Sequence, residues 1–191
     1  MSLKILFIHG LASSGSYKTA ASLRILLRPC EVIAPDVPIH PLEALPMLRR
    51  LCSEEQPDLI VGLSLGGFWA QKLRGYRKVC INPDLHPSSR LGLMMGENAY
   101  LSPRKDGATS FLITPEICDA YTEVEHKQME NLTDQERAIT IGLFADNDEL
   151  VDCHKEFAMY YPDTTRRYPG RHLPTFPELR DHILSAVRQL L

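Results

Sequence analysis

No stretch of this chain is apolar for long enough to cross a bilayer as a helix. The run nearest the N-terminus, Ile5-Leu6-Phe7-Ile8, is too short for a membrane span or for the core of a signal peptide. It reads instead as a first buried strand, and the expected location is the cytoplasm. The chain also lacks any Cys-x-x-Cys pair. Its five cysteines, Cys30, Cys52, Cys80, Cys118 and Cys153, are odd in number and scattered. That pattern argues against a disulfide framework and a zinc site and fits reduced thiols of an intracellular protein. There is no excess of positive charge either: the net charge is -3. A general electrostatic case for nucleic acid or an acidic membrane is therefore missing. The nearby Arg166, Arg167 and Arg171 read as a solvated loop or edge strand. A phosphate-binding loop is excluded at Gly10 to Gly15, because Ser16 stands where that loop requires lysine. No internal repeat, low-complexity tract or linker divides the chain.

What is present suits one globular domain. The 191 residues are 44% hydrophobic and 24% charged, enough to bury roughly 70% of the unfolded surface. The most informative stretch is residues 57 to 75, PDLIVGLSLGGFWAQKLRG. Apolar Leu59-Ile60-Val61 stops at Gly62, Ser64 follows at the tip of a tight turn, and helix-like sequence begins at once. This is the G-x-S-x-G pattern of a nucleophile elbow. A serine projecting from a cramped backbone needs small residues two positions away on either side, and Gly62 and Gly66 supply them. At a helix N-terminus the serine also faces unpaired amides that stabilise negative charge.

Around this stretch, strand and helix alternate. Strands are expected at Leu3 to Ile8, Glu31 to Pro35, from Pro57 into the elbow, Lys78 to Asn82, Ala138 to Ala145 and Thr164 to Tyr168. Helices are expected at Ser16 to Leu27, Leu42 to Leu51 (with Pro46 inside), Phe68 to Leu73, Leu150 to Tyr161 and Phe176 to Leu191. The order predicts an α/β fold with about six mostly parallel strands and helices on both faces. Residues 83 to 136 interrupt it, with prolines and glycines, apolar patches at Leu91 to Met95 and Phe111 to Ile113, and helical spacing from Pro115 to Asn131.

Chemically suggestive residues follow strands, where sites in such sheets lie. A serine hydroxyl needs a base, usually histidine, and the histidine needs a carboxylate. Downstream of Ser64 the fifth strand ends in Asp146-Asn147-Asp148, and the sixth ends near His172. The order Ser, Asp, His is that of elbow hydrolases. His9, directly after the first strand, is expected to shape its loop. His40, His126, His154 and His182 are read as surface or loop residues, and Phe68 and Trp69 as helix packing.

These pieces together resemble an α/β-hydrolase along the whole chain, and most of all the small YqiA/YcfP-like esterases, which lack the first strands of larger enzymes. The matching stretches are FIHG at Phe7 to Gly10, GLSLGG at Gly62 to Gly67, DNDELVD at Asp146 to Asp152 and PGRH at Pro169 to His172. The resemblance implies Ser64 as nucleophile, His172 as base and Asp148 as orienting acid, with Asp146 the alternative acid or a cap. It implies an oxyanion hole from the backbone amides of Leu65 and Leu11, with Ala12 the alternative second donor. Residues 83 to 136 then form a lid, with Leu93, Met94, Met95 and His86 candidate pocket residues. The expected function is hydrolysis of a small ester or thioester through an acyl-enzyme, without cofactor or metal. A non-catalytic binding protein on the same scaffold and an acyltransferase are the competing readings.

Overall fold

The computed structural model describes residues 2–191. Strands β1 (Lys4–Ile8), β2 (Glu31–Ile33), β3 (Leu59–Leu63), β4 (Lys78–Ile81), β7 (Thr140–Asn147) and β8 (Thr165–Arg171) form one sheet. Its order is β2-β1-β3-β4-β7-β8 and every neighbouring pair is parallel. The central strands are buried along their length because both faces are covered.

Alternate strand residues enter two separate cores. Ile8, Ile60, Cys80 and Phe144 face α2 (Pro41–Glu55), α3 (Leu65–Lys72), α5 (Pro115–His126) and α7 (His154–Tyr160). Phe7, Val61, Val79 and Leu143 face α1 (Lys18–Leu26) and the C-terminal helix, which includes a π-helical turn at Leu179–Ile183 before α9 (Leu184–Leu190). The first face is the more aromatic. Trp69 packs on Phe68 and Tyr121 with ring centroids 4.9 and 5.6 Å away, and so joins α3 to α5. Each such buried ring contributes about 1.5–3 kcal/mol.

The segment between β4 and β7 holds α4 (Pro87–Gly92), the antiparallel ribbon β5 (Gly96–Ala99) and β6 (Ser110–Ile113), α5, and α6 (Asp134–Ala138). The ribbon, α4 and α6 were not expected from the sequence, and α5 is shorter than the expected helix to Asn131. Several anchors fasten the segment, two of them from α6 and from the stretch after β5. Glu136 accepts from Lys78 Nζ at 2.9 Å and from the Gly75 amide, tying α6 to the start of β4. At the other end the Ser14 and Ser102 hydroxyls lie 2.8 Å apart, and the Leu101 amide donates to the Ala12 carbonyl at 2.7 Å. Among the described residues, no helix is long and apolar enough to cross a membrane.

Several boundaries differ from expectation by a few residues, and two of them lie near the candidate site. The helix expected from Leu150 begins at His154, because the Asp148 carboxylate accepts from the Leu150 and Val151 amides at 2.9 and 2.8 Å and holds the chain in a turn. Strand β8 runs to Arg171 rather than Tyr168; its register against β7 shifts between Ala145 and Asn147, and pairing resumes with Asn147 opposite Arg171, beside the candidate site.

Candidate active site

Ser64 sits between the end of β3 and the first residue of α3 with φ 56° and ψ -118°. Backbone angles of this kind are costly for a non-glycine residue, and the surroundings enforce them. A Cβ on Gly66 would lie 1.9 Å from the Ile8 carbonyl oxygen, and one on Gly62 would lie 2.2 Å from the Gly66 oxygen. The two glycines thus let the turn close against the end of β1, as the sequence pattern requires.

The structure brings Ser64, His172 and Asp148 into one hydrogen-bonded chain. His172 Nε2 lies 2.9 Å from Ser64 Oγ, and His172 Nδ1 lies 2.8 Å from Asp148 Oδ2. All three side chains are nearly buried. With Nδ1–H donated to the carboxylate, Nε2 faces the hydroxyl as an acceptor. Burial works against the charged form of Asp148. The hydrogen bond from His172 and the Val151 and Leu150 amides outweigh it and hold the carboxyl below its usual range. Asp146 lies apart, exposed, with its carboxylate 3.9 Å from Arg167. Asn82 holds His172 from behind: its Nδ2 donates to the His172 carbonyl at 2.9 Å, and its Oδ1 accepts from the Ala145 amide at 2.7 Å. It therefore bridges the end of β7, which leads to Asp148, and the loop carrying His172.

His9 holds the loop after β1. Its Nε2 accepts from the Val37 amide at 3.0 Å, and its Nδ1 lies 2.8 Å from the Gly10 carbonyl, which can only accept. Burial lowers its pKa to about 4, so the ring is neutral. Gly10 packs so closely that a Cβ there would lie 3.2 Å from Ser64 Cβ. Leu65 is the first residue of α3, where amides have no acceptor within the helix. Leu11 follows Gly10 on the wall of the same cavity.

That cavity holds about 330 Å³ beside Ser64 and His172. Of the four pocket residues expected from sequence, the structure places only Met94 in its wall. Leu93, at the end of α4, is 89% exposed and points away. Met95 is half-exposed, with its sulfur 3.8 Å from Cys118 Sγ. His86 lies in a separate cleft, paired with Glu156 at 2.6 Å. The wall instead includes Tyr17, Arg90, Asn98 and an exposed apolar rim of Leu101, Leu150 and Leu173. None of these carried a local signal, since each is ordinary in its own stretch and meets the others only through the fold. Among the described residues, no three or more His, Cys, Asp or Glu side chains gather as a metal ion would require.

The sheet order, the strained serine turn and the enclosing helices define an α/β-hydrolase fold. The model of UPF0227, described as an uncharacterised protein family, matches residues 4–185, and the chain belongs to that family. A UPF0227 protein of Shewanella baltica is 24% identical over 200 aligned positions, covering 94% of each chain. Among solved structures, the esterase domain of a Rhodothermus marinus protein is similar with a TM-score of 0.65 at 17% identity, covering 98% of this chain and 87% of that one. A thioesterase domain from the curacin biosynthetic pathway is similar with a TM-score of 0.58 at 15% identity, covering 99% and 90%. At such identities the likeness is one of fold.

Proposed function

We propose that this protein is a serine hydrolase that cleaves a carboxylic ester or thioester through an acyl-enzyme. The observation that carries the reading is the unbroken chain from Ser64 Oγ through His172 to Asp148, at 2.9 and 2.8 Å, on the wall of a largely apolar cavity. Ser64 Oγ attacks the scissile carbonyl carbon while His172 Nε2 takes its proton. The Leu65 and Leu11 amides receive the negative oxygen of the tetrahedral intermediate. Collapse expels the alcohol or thiol, which takes the proton from His172, and leaves Ser64 acylated. Water then repeats the attack with His172 again as base, and the acid is released. Asp148 remains ionised throughout, holding the imidazole in the required tautomer and balancing its charge.

Residues 83 to 136 act as a lid over this site in the same reading. Met94, Asn98, Ala99 and Leu101 bring that segment to the cavity wall, which supports the role. The similar folds of the Rhodothermus marinus esterase domain and the curacin-pathway thioesterase domain agree with an ester-type substrate. The test is covalent labelling with a fluorophosphonate probe. Wild type is expected to be labelled and Ser64→Ala to be unlabelled; equal labelling of both refutes the assignment.

A further inference from the structure

The cavity beside Ser64 is largely apolar. Arg90, from α4, is the single permanently charged side chain in its wall, and no carboxylate lines it. An unpaired guanidinium in such a wall would be costly. Arg90 is paired: its Nε donates to Asp84 Oδ2 at 2.8 Å, and Asp84 is itself buried. Its Nη2 donates to the Leu150 carbonyl. These two bonds fix the plane of the guanidinium. Nη1 has no hydrogen-bond partner among the described residues, and the side chain keeps 30% of its surface exposed. A planar fork held on one side and open on the other suits an oxyanion. Asn98 does not compete for this role, since its Nδ2 already donates to the Met94 and Gly96 carbonyls.

A purely structural strut between α4 and the 148–151 turn would account for Nε and Nη2. It would not account for placing a cation on the cavity wall with donors left over. We infer that Arg90 selects substrates bearing an anionic group, a carboxylate or a phosphate, that reaches Nη1 when the scissile carbonyl is at Ser64. The inference rests on the hydrolase reading for the reaction, but not for the binding. Asp84 offsets the charge of Arg90, so the preference is that of a charge-assisted hydrogen bond, about tenfold or more. The anion can belong to the acid or to the leaving group, since the same donors serve either.

Three esters separate these cases. para-Nitrophenyl pentanoate is neutral. para-Nitrophenyl hydrogen glutarate carries its carboxylate on the acid, and the pentanoyl ester of hydroxynitrobenzoic acid carries it on the leaving group. Binding to Ser64→Ala is measured by calorimetry, where no turnover is needed. At least one anionic ester is expected to bind about tenfold more tightly than the neutral one, and Arg90→Gln in the same background is expected to abolish the difference. In enzyme with Ser64 intact, the ratio of kcat/KM for that anionic ester to the neutral one is expected to fall about tenfold in Arg90→Gln. Equal binding of all three esters, or a preference unchanged by Arg90→Gln, overturns the inference. If Arg90→Gln does not fold, Arg90→Met reads the same ratio. An Arg90-dependent binding preference without turnover by wild type would sink the hydrolase reading and leave the anion site standing.

Discussion

Acidification should weaken this protein through His9, and the size of the effect follows from the ring's surroundings. Its Nε2 accepts from the Val37 amide, and its Nδ1 faces the Gly10 carbonyl. Protonating Nε2 would set two N–H groups against each other in a buried place. Burial accordingly takes the pKa from 6.5 to about 4 in the folded chain. Between those values the unfolded chain binds a proton that the folded chain refuses. The stabilisation is therefore fully present above pH 6.5, is lost as pH falls, and is exhausted near pH 4. At about 1.36 kcal/mol per pKa unit, the whole span corresponds to about 3 kcal/mol, of which about 2 kcal/mol is gone by about pH 5. The assay is urea unfolding at a series of pH values for wild type and His9→Gln. The glutamine can accept from Val37 and does not titrate, and other histidines and carboxylates cancel in the comparison. Wild type should lose about 2 kcal/mol more than His9→Gln between about pH 7.5 and about pH 5. Equal losses would refute the argument.

Other outcomes follow from the geometry. Asp148→Asn should lower turnover by about ten-thousandfold with the fold intact, because the amide no longer fixes the imidazole tautomer. Asp146→Asn, altering an exposed carboxylate beside Arg167, should change turnover by less than about threefold in the same ester assay; a large loss there would move the acid. Gly66→Ala should cost at least about 3 kcal/mol in urea unfolding, since its Cβ would meet the Ile8 oxygen at 1.9 Å.

The parts of the site legible in the sequence are those under tight local constraint. Ser64 stood out because a strand, a turn needing two glycines and a helix must meet within a few residues. Asp148 and His172 were legible because each follows a strand in a sheet whose parallel order sends every strand's carboxyl end to the same edge. Asp148 could be separated from Asp146 only by family resemblance, and the structure shows the physical difference: one carboxylate accepts from two turn amides and His172, while the other lies exposed beside Arg167. The segment between β4 and β7 was hard to read because its elements are short and its anchors distant. Tyr121 donates to the Ile39 carbonyl, and Ser102 meets Ser14. Leu93 and Met95 have the right chemistry for a pocket, but the end of α4 turns both outward. Arg90 gave no signal, since an arginine in a short polar stretch is ordinarily solvated and its partner Leu150 lies far along the chain.

The inserted segment leaves the sheet at β4 and returns at β7, and these two strands are direct neighbours. Because the two strands are parallel, the segment leaves at the carboxyl end of β4, beside Ser64, and must return to the amino end of β7 at the opposite edge. The segment behaves as an exchangeable cassette: Ser64, His172 and Asp148 come from the frame, while Arg90, Met94, Asn98 and Leu101 come from the cassette. A relative could acquire a new substrate by replacing the cassette while keeping the reacting groups in register. The replacement must match the frame at seams that include Lys78 with Gly75, Ala12 with Ser14, the Ile39 carbonyl and the Leu150 carbonyl.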